Sequence, residues 1–231
     1  MTNNRPVIIA HRGYSAKYPD NTALAFRMAG EAHAGGAETD VRMTADGVAI
    51  LNHNDDVDFA DGTSLPVEGH TLEELRAKPL LNDESDDTVY LCTFREYLEI
   101  LKAYGMIGFI ELKGPFTTEQ IRDVFRLAEE VYDLKKCILQ SFDFENLLRT
   151  RALFPDLPIM LTYGDDEPEG YARCFAHGIS LDACKTAVTP EMIGDFHAHG
   201  LEVGAWTVND RNEMARLAAM GVDYIETDAC L

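Results

Sequence analysis

"MIGFIELKGPFTTEQIRDVFRLAEEVYDLKKCILQSF", residues 106–142, frames the whole chain. A short apolar run ends at Glu111 and Lys113, a helical stretch follows over about 117–132, and a second apolar run begins at Cys137. A short strand, a helix and another short strand predict parallel pairing through a right-handed crossover. The rhythm continues through "PIMLTYG", "GISLDA", "LEVGAWTV" and "VDYIETDA", with helical stretches between most of them. With residues 7–10 and 37–42, this gives about eight strands. Eight such units in 231 residues predict an α/β fold, a single (β/α)8 TIM barrel spanning 1–231. A small insertion, about 54–92, follows the second strand. An open doubly wound sheet is the alternative, but no Gly-rich dinucleotide fingerprint or P-loop supports it.

Barrels of this kind carry their chemistry at the strand C-termini, and polar residues concentrate there. "IAHRGYSAKYPDNT" (9–22) ends the first apolar run at His11 and Arg12. "GAETDVRMTADGVAIL" (36–51) places Glu38 and Asp40 two apart, on one side of the second strand, before an Asp46-Gly47 turn. His53 ends the next extended segment, and Glu111 and Lys113 again share a side. Gln140, Trp206 and Glu226 sit near later strand ends. Glu38, Asp40 and Glu111 converging in one mouth would repel one another without a cation. Their hard oxygens select Mg²⁺ or Ca²⁺ over zinc. His11 and His53 offer the acid and base that phosphodiester cleavage needs, and Arg12 and Lys113 the positive charge for an anionic phosphodiester.

Other histidines and nucleophiles read as structural. His197 and His199 precede Gly200 at a helix end, where they complement the dipole. Ser141 lacks a nucleophile-elbow context. Five cysteines without C-x-x-C spacing point to a reduced, cytoplasmic setting. The four-residue apolar stretch before His11 is too short for a secretory core or a membrane span. A formal net charge of −20 argues against nucleic acid or an anionic membrane surface as partner.

At these residues the sequence resembles the glycerophosphodiester phosphodiesterase family. "AHRG" with "PDNT", "GAETDVRMTADG", "NHN", "HTLEEL", "FIELKG", "QSF", "WTVN" and "GVDYIETD" occur in the family's order, from about residue 8 to 228. The resemblance implies hydrolysis of glycerophosphodiesters to glycerol 3-phosphate and an alcohol, and the acidic charge favours small, soluble ones. It implies a divalent metal on Glu38, Asp40 and Glu111, with His11 and His53 as the acid–base pair. Arg12 and Lys113 would hold phosphate, and Trp206 would line the substrate pocket. Asp20 replaces the family's usual glutamate, and Asn54 stands where an aspartate usually follows the second histidine. A related barrel acting on lysophospholipids, or a cyclising lyase, would want a hydrophobic membrane-facing loop. The loop "DDVDFADGTSLPVEG" (55–69) is acidic instead. A silent phosphodiester-binding barrel would lack a histidine or a ligand, and none is missing.

Overall fold

The computed structural model describes residues 5–83, 86–164 and 170–230. In chain order its strands are β1 (Val7–Ala10), β2 (Gly36–Met43), β3 (Ala49–Leu51), β4 (Asp56–Asp58), β5 (Ser64–Pro66), β6 (Ile107–Leu112), β7 (Cys137–Ser141), β8 (Ile159–Tyr163), β9 (Ser180–Cys184), β10 (Val203–Trp206) and β11 (Tyr224–Thr227). β1, β2 and β6 to β11 form a parallel ring. β1 closes it, with Val7 opposite Tyr224 on one side and Ile9 opposite Gly36 on the other. The protein is therefore an (β/α)8 barrel, as the alternation predicts, and not an open sheet.

Helices start where the sequence offers a side-chain oxygen to the free backbone N–H groups. Thr22, Thr71, Thr93, Thr117 and Thr189 each cap one, as do Asp143 and Asp210. Thr93 and Thr117 form reciprocal capping boxes with Glu96 and Gln120. The helix Thr118–Val131 buries Ile121, Val124, Phe125 and Ala128, the spacing of one apolar face turned to the barrel.

After β2 the chain turns at Gly47 into antiparallel β3, with Val41 opposite Leu51. Residues 54–70, polar enough to read as a loop, instead contain the ribbon β4–β5, with Val57 opposite Leu65. Val57 and Phe59 alternate with Asp56 and Asp58 and join Ile50, Val67, Leu75 and Leu91 in a separate apolar cluster. Two inward residues are too short a period-2 signal to stand out among so many aspartates.

Inside the ring, Ile9, Phe109, Ile138, Met160 and Tyr224 pack into an apolar plug. Each lies two residues before His11, Glu111, Gln140, Thr162 or Glu226, so its polar successor faces the same interior one layer higher. The plug is thus the base on which the polar layer stands. Phe109 is fully buried and meets Tyr224 edge-to-face, with ring centroids 5.0 Å apart. Phe109→Ala should therefore destabilise the protein by about 3–5 kcal/mol. Urea denaturation showing a loss below about 1 kcal/mol would mean that the plug does not support the barrel.

Candidate active site

At the end of β1, Gly13 takes a left-handed turn with φ +85°. A Cβ there would lie 2.7 Å from the Ala25 carbonyl carbon, so only glycine lets the turn press against the following helix. Arg12 is also left-handed, with φ 55°, and its backbone N–H donates to Glu38 Oε2 at 2.9 Å. The turn leaves His11 under the ring's last strand, with Nδ1 2.7 Å from Asp228 Oδ1. Burial by itself would raise the Asp228 pKa. Hydrogen bonds from His11, Asn209 and Ser15 outweigh it and hold the carboxyl at about 2. A carboxylate on Nδ1 fixes the ring orientation and leaves Nε2 for the pocket.

Glu38, Asp40 and Glu111 are all buried. One ligand atom from each lies within 4.8 Å of the others. Asp40 is held by two cations and an amide: Lys113 Nζ at 3.0 Å, Arg12 Nε at 3.2 Å and Asn21 Nδ2 at 2.7 Å. The Arg12 contact is an ion pair without hydrogen-bond geometry. Burial favours the neutral acid at Asp40, but Lys113, Arg12 and Asn21 prevail and its pKa is lowered. Lys113 also reaches Glu111 Oε1 at 2.8 Å, yet burial leaves Glu111 raised. Glu38 is raised well above the usual carboxylate range, by burial and then by the charges of Asp40, Glu226 and Glu111. Its Oε1 is buried without a hydrogen-bond partner. An orphaned oxygen among three converging carboxylates fits a hard divalent cation.

His53 faces the same mouth from the chain after β3. Its Nδ1 lies 3.0 Å from Asn54 Oδ1, so Asn54 orients the ring. Arg42 fixes the backbone there, donating from Nη2 to the His53 carbonyl at 2.8 Å. Burial, opposed by Asp40 and reinforced by Lys113 and Arg12, lowers the His53 pKa. Asp20 pairs with Arg12 Nη1 at 3.2 Å, so the shorter carboxylate still reaches its partner.

His11, Arg12, His53, Glu111 and Lys113 line one cavity of about 230 Å³, together with Gln140, Thr162, Asp182 and Glu226 and the rings of Phe142 and Trp206. Gln140 Nε2 donates to both Asp182 Oδ2 and Glu226 Oε1, each at 2.8 Å. Burial, followed by neighbouring carboxylates, pushes both acids well above the usual range. Trp206 meets Phe142 edge-to-face at 5.8 Å, and its Nε1 donates to the Asp182 carbonyl. Two adjoining troughs of about 420 and 200 Å³ share Arg12, Pro19, Asp20 and Leu81.

Every site residue expected from the sequence therefore lies at one end of the barrel. Sequence reasoning missed Asp228, the Asp40 partner Asn21 and the floor residue Asp182. Asp228 and Asp182 carried a signal, since both are acids near a strand end. Ser141 donates to the Leu112 carbonyl, and His197 pairs with Asp223 at 2.9 Å, both structural uses. Among the described residues, no helix is long and apolar enough to cross a membrane.

The family model described as the glycerophosphoryl diester phosphodiesterase family matches residues 11–230. The chain is 34% identical to the YhdW protein of Bacillus subtilis (strain 168), covering 96% of this chain and 93% of that protein. It is 31% identical to a glycerophosphodiester phosphodiesterase of Caldanaerobacter subterraneus subsp. tengcongensis, covering 97% and 94%. Its fold superposes on the crystal structure of a glycerophosphodiester phosphodiesterase from Parabacteroides distasonis with a TM-score of 0.79, at 26% identity over 97% and 93% of the two chains.

Asp228 generates a stability test. Its lowered pKa contributes stability above the ordinary carboxylate range that is lost as pH falls toward 2. Asp228→Asn should cost about 2 kcal/mol at pH 7, with roughly half of that gap gone by pH 3. Denaturation curves with a pH-independent gap, or none, would mean that the carboxylate is not held by these donors.

Proposed function

The chain belongs to the glycerophosphoryl diester phosphodiesterase family, and we propose that its barrel mouth hydrolyses small glycerophosphodiesters to glycerol 3-phosphate and an alcohol with a divalent metal and two histidines. The observation that carries this reading is the placement of His11 and His53 on one cavity with the Glu38–Asp40–Glu111 cluster beside it. Glu38, Asp40 and Glu111 would hold the cation. When bound, Mg²⁺ or Ca²⁺ supplies positive charge to the phosphoryl group and neutralises carboxylates that now repel.

The chain's own residues account for the rest. Arg12 and Lys113 reach the cavity with side chains largely out of water, so their charge is weakly screened where the phosphodiester sits. Both already contact Asp40, which keeps them from folding back to solvent. His53, with its lowered pKa, is neutral at neutral pH and suits removal of the proton from the attacking hydroxyl. Water and the glycerol 2-hydroxyl present the same proton to it. His11, oriented by Asp228, suits delivery of a proton to the leaving oxygen. With water as nucleophile the products are a phosphomonoester and a neutral alcohol; with the 2-hydroxyl the alcohol leaves first and a cyclic phosphodiester remains, which a water then opens to the phosphomonoester. Trp206 and Phe142 wall the cavity and exclude water from one side.

The leaving alcohol faces the troughs beyond Arg12. Their lining includes Asp20, Asp56, Asp58 and Asp83, a rim that repels polyanions and anionic bilayers. Small diesters such as glycerophosphoethanolamine or glycerophosphocholine fit this field. Nucleic acid does not, and no stable membrane insertion is implied. A cytoplasmic setting accords with five cysteines that lack C-x-x-C spacing.

A divalent-metal screen across a panel of glycerophosphodiesters, with glycerol 3-phosphate measured as product, tests the reading. Turnover should require the metal and should fall about 10²- to 10⁴-fold in His11→Ala and in His53→Ala. The acid limb of the parent's pH profile should lie below the ordinary imidazole value of about 6.5, because protonating His53 removes the base and its pKa is lowered. Metal-independent turnover, or either variant at parental rates, would refute the corresponding role.

A further inference from the structure

Glu38 belongs to two groups of ligands. Besides Asp40 and Glu111 it stands with His11 and Glu226, and one ligand atom from each of these three also lies within 4.8 Å of the others. His11 follows β1, Glu38 lies on β2 and Glu226 on β11. Because β1 pairs with both β2 and β11, closure of the ring brings the three together. Each has one arm already fixed. Asp228 holds His11 Nδ1 at 2.7 Å, the Arg12 backbone N–H holds Glu38 Oε2 at 2.9 Å, and Gln140 holds Glu226 Oε1 at 2.8 Å. That leaves His11 Nε2 for a ligand, while Glu38 Oε1 is buried without a hydrogen-bond partner. His11 and Glu226 line the cavity of the mouth, which gives an ion its way in.

An imidazole that binds a metal usually has its other nitrogen on a carboxylate, and carboxylate ligands are themselves held by hydrogen bonds. All three residues meet that description. The group differs from Glu38, Asp40 and Glu111 in offering a nitrogen, and the nitrogen decides the ion. Zn²⁺ takes imidazole nitrogen together with carboxylate oxygen, often from three side chains with a fourth position open. Mg²⁺ and Ca²⁺ take oxygen. We propose that His11, Glu38 and Glu226 form a second cation site, selective for Zn²⁺, whose occupation switches the barrel mouth off. The switch rests on the hydrolase reading above, whereas the zinc site stands without it. With Glu38 Oε2 committed to Arg12, Oε1 serves whichever ion holds it, so zinc withdraws it from Asp40 and Glu111. The same zinc takes the His11 nitrogen that would deliver a proton to the leaving oxygen.

Calorimetry of the metal-free full chain, with Zn²⁺ alone and with Mg²⁺ alone, tests the site. His11→Ala and Glu226→Gln should each weaken Zn²⁺ binding by about 100-fold or more and leave Mg²⁺ binding within about threefold. Asp228→Asn, which frees the imidazole to turn, should weaken Zn²⁺ by about 10- to 100-fold. Glu111→Gln should do the reverse, weakening Mg²⁺ and sparing Zn²⁺. Co²⁺ standing in for zinc gives a readout on the parent itself: the visible absorption of a four-coordinate ion should appear, and should be lost in Glu226→Gln. In Mg²⁺-supplied parent, Zn²⁺ should inhibit turnover of glycerophosphocholine, and further Mg²⁺ should relieve the inhibition. Zn²⁺ affinity unchanged in both His11→Ala and Glu226→Gln, or falling in Glu111→Gln instead, would overturn the site. Zinc held there with turnover undiminished would overturn the switch. Absence of turnover on any diester would sink the hydrolase reading and the switch with it, the zinc site then being decided by calorimetry alone.

Discussion

Glu38, Asp40, Glu111, Asp182 and Glu226 are five buried carboxylates at one end of one barrel, with Arg12 and Lys113 as the cations that reach Asp40 among them. Burying that much unbalanced negative charge is unfavourable, and the pKa directions record how the protein responds. Asp40 takes both cations and is lowered, whereas Glu38, Asp182 and Glu226 are pushed well up. The excess is arranged rather than scattered. Glu38 and its two neighbours present oxygens within reach of a single ion, and Gln140 ties Asp182 to Glu226 deeper in the mouth.

The barrel makes such crowding feasible. Period-2 alternation stacks several of the polar side chains above plug residues, with Phe109 beneath Glu111 and Tyr224 beneath Glu226. Strand ends then aim their groups at a common axis. Ring closure makes contacts no local sequence could arrange: His11 and Asp228, 217 residues apart, meet because β1 pairs with β11. Chemistry and packing share the same strands, and a change in the plug would move the site.

Much of this was legible in the chain. The fold follows from strand–helix alternation, and His11, Glu38, Asp40, His53, Glu111 and Lys113 stand out because strands deliver polar residues where apolar ones precede them. What was illegible has physical reasons. The ribbon Asp56–Asp58 with Ser64–Pro66 hides in an acidic stretch because each of its strands offers a single inward residue, Val57 and a partly buried Leu65. Asn21 looks like a helix-start residue, but Thr22 is the cap and Asn21 Nδ2 turns to Asp40. Asp228 needs ring closure to acquire its meaning, and Asp182 needs Gly204, whose missing side chain makes room for it.

Thermal unfolding of the parent and Glu38→Gln shows whether the buried carboxylates of the mouth await a cation. Because the folded-state pKa of Glu38 is raised, ionising it costs stability as pH rises past the ordinary carboxylate range. Without metal, Glu38→Gln should therefore melt above the parent at pH 8, by a margin that shrinks toward pH 5. Adding Mg²⁺ or Ca²⁺ should raise the parent's Tm and leave the variant's nearly unmoved. A metal-free variant that melts below the parent at pH 8, with a parent indifferent to either cation, would mean that the carboxylates do not.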